Sequence, residues 1–550
     1  MAMKALTRWG VGGAGCVLVG TLLLALLNGE NSLPADDKAK VPALPADLAK
    51  IPSDSMILYS VRVAELWNGD IVKSVRGKHK VIDQAAHEFE KQFGLSFEQV
   101  ERLSVSILGP VPSNRHEPVW IMRTIKPYDQ AKVLAAYAKL KPEKYKGKTL
   151  YVSRKWAVYP LDERMVVYSE FASELRNLID RPRPKDKGAL ADALERAAEK
   201  HTLVFGLNLK EYDDLGHLKQ LPPGAEPFRP LAVARWVTLF ADVGAESRLT
   251  ATFHFANEKD AKAALPTAHS ALELARASVD GGIKTLSKEK DMTDLVSLLK
   301  QFQTPLKTAK IDRKGETLHA SLRAKIDPAV AGLVLVQSMR KQRETAARTA
   351  ARIESASYLH NLAIAMHMYA DKMGRLPAQA VYDKNGKRML SWRVLILPYI
   401  EQQALFNEFH LNEPWDSEHN KKLLAKMPKL FASPRDKKTL KEHTTYYQGF
   451  AGKDAFFEGK QGLRFPADFP DGTSNTFMIV EASKAVPWTK PEDIPYDPAK
   501  PLPKLGLPGA AGFLASLCDG SVRFCSHKIA TKTLRLVIER GDGMPIPADF

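Results

Sequence analysis

At 550 residues the chain is too long for one ordinary hydrophobic core, so two to four domains are expected. A hydrophobic content of 45% with 26% charged residues excludes an intrinsically disordered chain. The net charge of +17 and pI near 9.4 favour acidic partners such as anionic headgroups or acidic polysaccharide, but the basic residues are scattered. No arginine-rich helix or aromatic-interleaved basic motif stands out, so specific nucleic-acid binding is not expected.

Lys4 and Arg8 precede an uncharged run from Trp9 to Gly29 that is long enough to span a bilayer, which needs about 20 apolar residues. Glu30, Asp36 and Asp37 follow it, so the positive-inside tendency places the N-terminus in the cytoplasm and exports the rest. Val17–Leu27 would also suit the h-region of a cleaved signal peptide. Leu27-Asn28-Gly29 and Leu33-Pro34-Ala35 are poor cleavage sites, and glycines rather than leucines precede Cys16, which argues against a lipobox. An uncleaved signal-anchor over residues 1–30 is the favoured reading, followed by a Pro-, Ala- and Lys-rich linker over 31–48.

Residues 49–190 read as a first α+β module. Strands are expected at Met56–Val61, around Leu103, Val105 and Ile107, and at Val119–Met122, Thr149–Val152 and Val166–Ser169. Helical spacing marks Tyr128–Leu140 and Phe171–Ile179, and the Pro-broken basic run Arg181–Lys187 closes the module as a loop. Residues 191–326 read as a second module repeating the first. Leu203–Leu209 alternates as Leu58–Val63 does, and Glu211-Tyr212 follows as Glu65-Leu66-Trp67 does. Strands Val237–Ala241 and Leu249–Phe255 lead into helix Glu258–Ala275, whose Lys259–Lys262 matches Asp129–Lys132, and Thr317–Lys325 is a last strand. The fold class is therefore α+β with antiparallel sheets, duplicated once.

A long helix occupies 327–374: Pro328 suits its first position, Gly374 its end, and Pro377 lies three residues beyond. Leu359, Leu362, Met366, Tyr369 and Met373 give it one apolar face. Residues 375–550 read as β with loops. Asn385-Gly386 signals a hairpin, Ser391–Gln403 a short helix, Phe477–Glu481 a strand, and Leu514–Phe524 a hairpin around Asp519-Gly520. That turn would set Cys518 opposite Ser521 rather than Cys525, so no disulfide is expected between them. Pro487, Pro491, Pro495, Pro498, Pro501 and Pro503 make the intervening stretch extended.

The sequence carries no P-loop, G-x-S-x-G or H-E-x-x-H pattern, and no Cys or Cys/His spacing of a structural zinc site. His360 and His367 stand seven apart, about 10 Å of helix rise, too far to share a metal. Glu413, Asp416, Glu418 and His419 beside Trp415 form the densest polar group. They could serve acid/base chemistry or a metal, but a loop whose Asp416 or Ser417 caps a helix at His419–Lys426 explains them better. Asp471–Thr476 offers oxygens without the alternating carboxylates of a calcium loop, so a hydrogen-bonded turn is preferred.

Several blocks in order carry a resemblance: Tyr358–Gly374 with Arg375-Leu376-Pro377, Ser391-Trp392-Arg393, Pro398–Gln403, Glu413–Asn420, Asp471–Thr476, Pro487–Asp493 and Asp519–Phe524. Together they resemble a family of bacterial proteins, found mostly in planctomycetes, related to type IV prepilins and of unknown biochemical function. Two features depart from that family. Gly509 stands where many relatives carry a His ten residues before Asp519, and two modules separate the helix from the N-terminus. The resemblance implies a C-terminal pseudopilin-like domain. The combined expectation is a non-enzymatic, inner-membrane-anchored protein without cofactor or metal, its body periplasmic or extracytoplasmic. It would act as a structural or interaction component tied to a secretion or pilin-like system. The alternative is a ligand-binding module for acidic polysaccharide or an exported solute, with Trp415, Asp416, His419 and Trp488 as contact residues.

Overall fold

The structure, a computed structural model, describes residues 44–108, 117–137, 139–181, 188–199, 201–210, 226–244, 246–547 and 550. The expected membrane segment Trp9–Gly29, the Glu211-Tyr212 pair and most of the basic run Arg181–Lys187 lie outside these residues. Among the described residues no helix is long and apolar enough to cross a membrane. The chain divides into two compact units, Met1–Arg343 and Glu344–Phe550. Residues 49–190 and 191–326 thus lie in one unit, and they share one sheet.

That sheet has twelve strands: β1 (Ile57–Val61), β2 (Val100–Ile107), β3 (Pro118–Thr124), β4 (Lys141–Tyr145), β5 (Lys148–Val152), β6 (Ala157–Pro160), β7 (Met165–Ser169), β8 (Leu203–Asn208), β9 (Trp236–Asp242), β10 (Glu246–His254), β11 (Lys310–Lys314) and β12 (Thr317–Lys325). Their order is 11-12-10-9-8-1-2-3-7-6-5-4, and every neighbouring pair is antiparallel. Outward from the centre, 1-2-3-7-6 on one side mirrors 8-9-10-12-11 on the other. The two halves meet where β1 pairs with β8, with Tyr59 opposite Phe205 and their rings 4.8 Å apart.

Helices bury both faces of the first half. Leu103, Val105, Trp120 and Met122 pack under helix Lys80–Phe93 through its Val81, Ile82, Ala85, Phe89 and Phe93. On the opposite face Val119, Ile121 and Val167 lie under Leu175 of helix Ala172–Asp180 and under Leu190 and Leu194, the latter in helix Ala191–Ala198. In the second half, helices Glu258–Leu286 and Thr293–Thr308 bury Val237, Leu249, Leu318 and Leu322.

Some elements differ from the sequence reading. The helix expected at Tyr128–Leu140 is only Gln130–Ala135; Lys139 has φ +63°, and Pro142 favours extended backbone at Lys141, where β4 begins. The two capped helices align on Asp129 and Asn257, whose side chains accept from Lys132 N and Asp260 N, so Asp129 matches Asn257 rather than Lys259. Helix Lys80–Phe93 has a clear three-four spacing of buried residues that the reading passed over.

The long helix runs Pro328–Met373 and ends on Gly374 at φ +74°. In the first unit its Val334, Leu335, Val336 and Met339 are core residues. Gly332 is required there, because a Cβ would lie 2.9 Å from Ile71 O and 2.7 Å from Val75 Cγ1. In the second unit the buried side of the helix, including Leu359, Leu362 and Met366, joins a core with Trp392, Phe431, Tyr447, Ile479 and Trp488. A four-stranded antiparallel sheet supplies the rest, with β15 (Thr444–Gln448), β17 (Phe477–Pro487), β19 (Gly512–Leu517) and β20 (Val522–Ser526) in the order 15-17-19-20. Two short strands, β13 (Ala380–Tyr382) and β14 (Arg388–Ser391), form the hairpin around Asn385-Gly386, and β16 (Phe450–Ala451) pairs in parallel with β18 (Ile494–Pro495). The β19–β20 turn has three residues, Cys518-Asp519-Gly520, with Gly520 at φ +86°. This shifts the expected register by one: Leu517 lies opposite Ser521 and Phe513 opposite Cys525. Both cysteines are buried and unbridged.

Candidate functional site

The acidic-His loop is organised by a residue that sequence reasoning did not single out. Asn420 is fully buried, and its amide Nδ2 donates to the carbonyls of His410 (2.9 Å), Glu413 (3.2 Å) and Pro414 (3.2 Å). Its Oδ1 accepts from His410 N at 3.1 Å. One side chain therefore substitutes for the sheet or helix this loop lacks. The capping role falls to Ser417, whose Oγ accepts from Asn420 N at 3.1 Å. Asp416 is exposed and makes no capping bond. Of the two residues expected to cap, only Ser417 bonds the start of the helix, which begins at Asn420 rather than His419. Asp416→Ala and Asp416→Asn should both lie within about 0.5 kcal/mol of wild type in urea unfolding.

His419 stacks on His410, with ring centroids 3.6 Å apart and planes 2° from parallel. His419 Nε2 donates to Glu408 O, and His410 Nδ1 pairs with Glu413 Oε1, each at 2.8 Å. The hydrogen bond from His410, then that from Ser417, holds the Glu413 carboxyl below its usual range. Parallel stacked imidazoles do not converge on one ion. Among the described residues no group of three or more His, Cys, Asp or Glu is placed to hold a metal.

The two candidate tryptophans have different surroundings. Trp488 is fully buried between Phe409 and Phe431, and its Nε1 donates to Leu424 O at 3.0 Å. Trp415 is half-buried against the edge of the same core, with Lys490 Nζ 5.7 Å above its ring. Of the four contact candidates, Trp415, Asp416 and His419 share the loop, whereas Trp488 faces the core.

Two buried polar networks lie deeper. Arg393 and Asp493 are fully buried and paired at 3.0 Å. Arg393 also donates to Tyr447 O (2.7 Å through Nη2) and to Ser391 Oγ (2.7 Å), while Asp493 Oδ1 accepts from Trp392 Nε1 and Gly449 N. Burial draws the guanidinium down and the carboxyl up from their usual ranges, and their mutual attraction opposes both shifts. In the second network the fully buried Glu481 pairs with Arg435 and accepts from Leu514 N and Ser355 Oγ, each at 2.9 Å. Ser355 in turn accepts from the Tyr447 hydroxyl at 2.7 Å.

Burial pushes the Glu481 carboxyl up, more than Arg435 and the hydrogen bonds pull it down. A raised carboxyl binds its proton more tightly folded than unfolded. Its contribution to stability is present below the unfolded pKa and fades as pH rises through the folded one. Glu481→Gln cannot titrate, so its stability relative to wild type should improve as pH is raised from acid to neutral. Urea midpoints of both proteins across that range check this; a constant difference would contradict it.

His360 and His367 hold the same hairpin turn. His360 Nδ1 donates to Gly520 O and His367 Nε2 to Cys518 O, each at 2.8 Å. The Asp471–Thr476 loop supports that turn from another side, through Asp519 N to Thr473 O and Cys518 N to Thr476 O. The turn expected there is closed by Asn475 N to Gly472 O and Asn475 Nδ2 to Asp471 O, while the Asp471 carboxylate accepts from the distant Asp542 N (2.6 Å) and Gly543 N (2.9 Å).

Comparison with known proteins gives a family match over part of the chain. No curated protein matches the chain significantly. Solved structures titled crystal forms III, I and IV of TP0453 are similar to it at 12%, 12% and 11% identity, with TM-scores of 0.29, 0.28 and 0.29. Each covers 54% of this chain, and 99%, 98% and 99% of the respective structure is covered. Residues 345–504, which hold the C-terminal part of the long helix, the Asn420 loop, the Arg393–Asp493 pair and Glu481 with Ser355 and Arg435, match the model of a family described as protein of unknown function (DUF1559).

Proposed function

We propose that this is a membrane-anchored, extracytoplasmic protein that acts as a structural or interaction component rather than an enzyme. The observation that carries the reading is how the motif residues of the matched region are used. Trp392, Trp488, Asn420, His360, His367 and Asp471 each spend at least one polar side-chain atom on an internal bond that fixes a loop or turn. Side chains committed in this way favour a rigid presenting domain over a reaction centre. The uncharged run Trp9–Gly29 behind Lys4 and Arg8 supports the anchor and the export of the body. A helix seated on a four-stranded antiparallel sheet supports kinship with prepilin-related, planctomycete-type proteins, and hence a link to a secretion or pilin-like system.

Trp415 favours a second reading. It is the half-buried aromatic of the loop, with Lys490 over its ring, and could contact an acidic polysaccharide or exported solute. Membrane fractionation tests the leading proposal. The intact protein should stay in the pellet through high salt and carbonate washes. A soluble exported form beginning near residue 30 or later would show a cleaved signal peptide instead, and a soluble cytoplasmic form would overturn the proposal.

A further inference from the structure

We propose that the outer edge of β20, beside the long helix, binds an extended segment of a partner protein as an added β-strand, and that this segment alternates apolar and acidic residues. β20 ends the four-stranded sheet, so one row of its backbone groups has no neighbouring strand. Leu517 N donates to Ser521 O at 2.8 Å and His527 N to Ala511 O at 3.1 Å, so bonded pairs recur at every second residue, at 515–523 and 513–525. Leu514 N turns the other way, to Glu481 Oε2 on β17. The N–H and C=O of Val522 and Phe524 therefore point away from β19, and among the described residues nothing pairs with them.

The other sheet ends are guarded. β4 carries Lys141, Pro142, Glu143 and Lys144, and β11 carries Lys310, Asp312, Arg313 and Lys314, the charges and proline that discourage strand addition. At β15 the Tyr447 carbonyl is filled by Arg393. β20, Val522-Arg523-Phe524-Cys525-Ser526, has a single charged residue and no proline.

The same edge lies along a helix flank that exposes apolar side chains. His360 Nδ1 meets the Gly520 carbonyl at 2.8 Å and Arg352 lies 5.0 Å over the Phe524 ring, so β20 runs antiparallel to the long helix over about two turns of it. Ile353 precedes His360 by seven residues and so shares the flank that faces the strand. Ile353 is 65% exposed and Phe524 41%. A strand added at β20 would sit about 4.8 Å beyond it, with alternate side chains against Phe524 and Ile353. The edge thus offers main-chain bonds for affinity and an apolar strip for every second side chain, the two requirements of strand addition.

The opposite face of β20 sets the charge of the intervening residues. Arg523 projects with Cys525 on the side of helix Thr531–Ile538, its guanidinium 4.8 Å over the Phe550 ring. Arg352, Arg523 and Lys528 are exposed, and among the described residues none of the three has an ion-pair partner. Carboxylates at every second position of the partner would meet them, whereas a second copy of this chain, with its net charge of +17, would bring like charges. Such binding rests on the reading of the protein as an interaction component but not on its membrane anchor, so a failure here and a failure of membrane fractionation are separate results.

Fluorescence anisotropy of labelled Thr-Glu-Val-Glu-Val-Glu-Val-Thr with the full chain in a nonionic detergent tests this. The peptide should bind, and the block permutation Thr-Glu-Glu-Glu-Val-Val-Val-Thr, of the same charge, should bind at least about tenfold more weakly. Hydrogen exchange within residues 521–526 should slow on binding, as amides of the open edge gain partners. Phe524→Pro, which removes an outward N–H that bonds nothing in the fold, should weaken binding about tenfold or more while the protein stays folded. Ile353→Asp, at an exposed helix position, should do the same. Arg523→Glu should transfer the preference to the lysine counterpart Thr-Lys-Val-Lys-Val-Lys-Val-Thr. Equal binding of both acidic peptides, or binding without slowed exchange at 521–526, would reduce the effect to charge attraction and overturn the proposal. So would no binding at all, the result if a second copy, seen as a dimer in sedimentation, or another segment of this chain already fills the edge.

Discussion

Arg393→Ala should destabilise the C-terminal unit by about 3–5 kcal/mol, because it leaves the fully buried Asp493 carboxylate without its cation. The loss exceeds that of an ordinary ion pair for a structural reason. The guanidinium also fills the Tyr447 carbonyl and the Ser391 hydroxyl, so three acceptors lose a donor at once. Asp493→Asn should cost several kcal/mol as well, since Arg393 would then carry an unpaired buried charge. Replacing both, as Arg393→Met/Asp493→Leu, should recover a large part of the loss by removing both charges from the interior. Urea unfolding of the four proteins compares these losses. A loss below 1 kcal/mol for Arg393→Ala would show that water reaches the site and that the pair does not organise the core.

The second large effect is expected at Asn420. Asn420→Ala removes three donated bonds and one accepted bond from a fully buried position, and should cost about 3 kcal/mol, as several buried backbone groups are left unpaired. Asn420→Asp should be nearly as harmful, because a carboxylate cannot donate to the carbonyls of His410, Glu413 and Pro414. The neighbouring Asp416 variants serve as the control: the same loop, one residue structural and the other solvated. Equal tolerance at both positions would contradict the description of the loop as held from its buried Asn.

Where burial alternates locally, the fold was legible in the chain. Thr317–Lys325 is a strand at the bounds expected, and Pro328 and Gly374 mark the long helix correctly. The antiparallel α+β class follows from such segments. That one sheet would join both modules was not legible, because the β1–β8 pairing depends on residues far apart in sequence. The hairpin at Asp519-Gly520 was placed, but its register was missed by one residue because a two-residue turn was assumed where Gly520 closes a three-residue one.

The site was read only in part, for a related reason. Glu413, Asp416 and His419 draw attention as a charged cluster, yet the loop is organised by Asn420, a neutral residue whose partners are backbone atoms. The signal available was a lone Asn that ends the Glu413–Asn420 block. Nothing local marks Arg393 as buried, since Tyr447 and Asp493 reach it only in the folded domain. His360 and His367, seven residues apart on the helix, each donate to a backbone carbonyl of one turn. Their acceptors, two residues apart on a hairpin, come from the other end of the unit.

The central claim, an anchored protein with its body outside the cytoplasm, is tested most directly by protease accessibility in intact spheroplasts carrying a C-terminal epitope after Phe550. The account predicts that added protease removes the epitope without lysis, while untreated protein stays in the carbonate-washed membrane pellet. An epitope that survives until the membrane is opened would place the body in the cytoplasm and contradict the account.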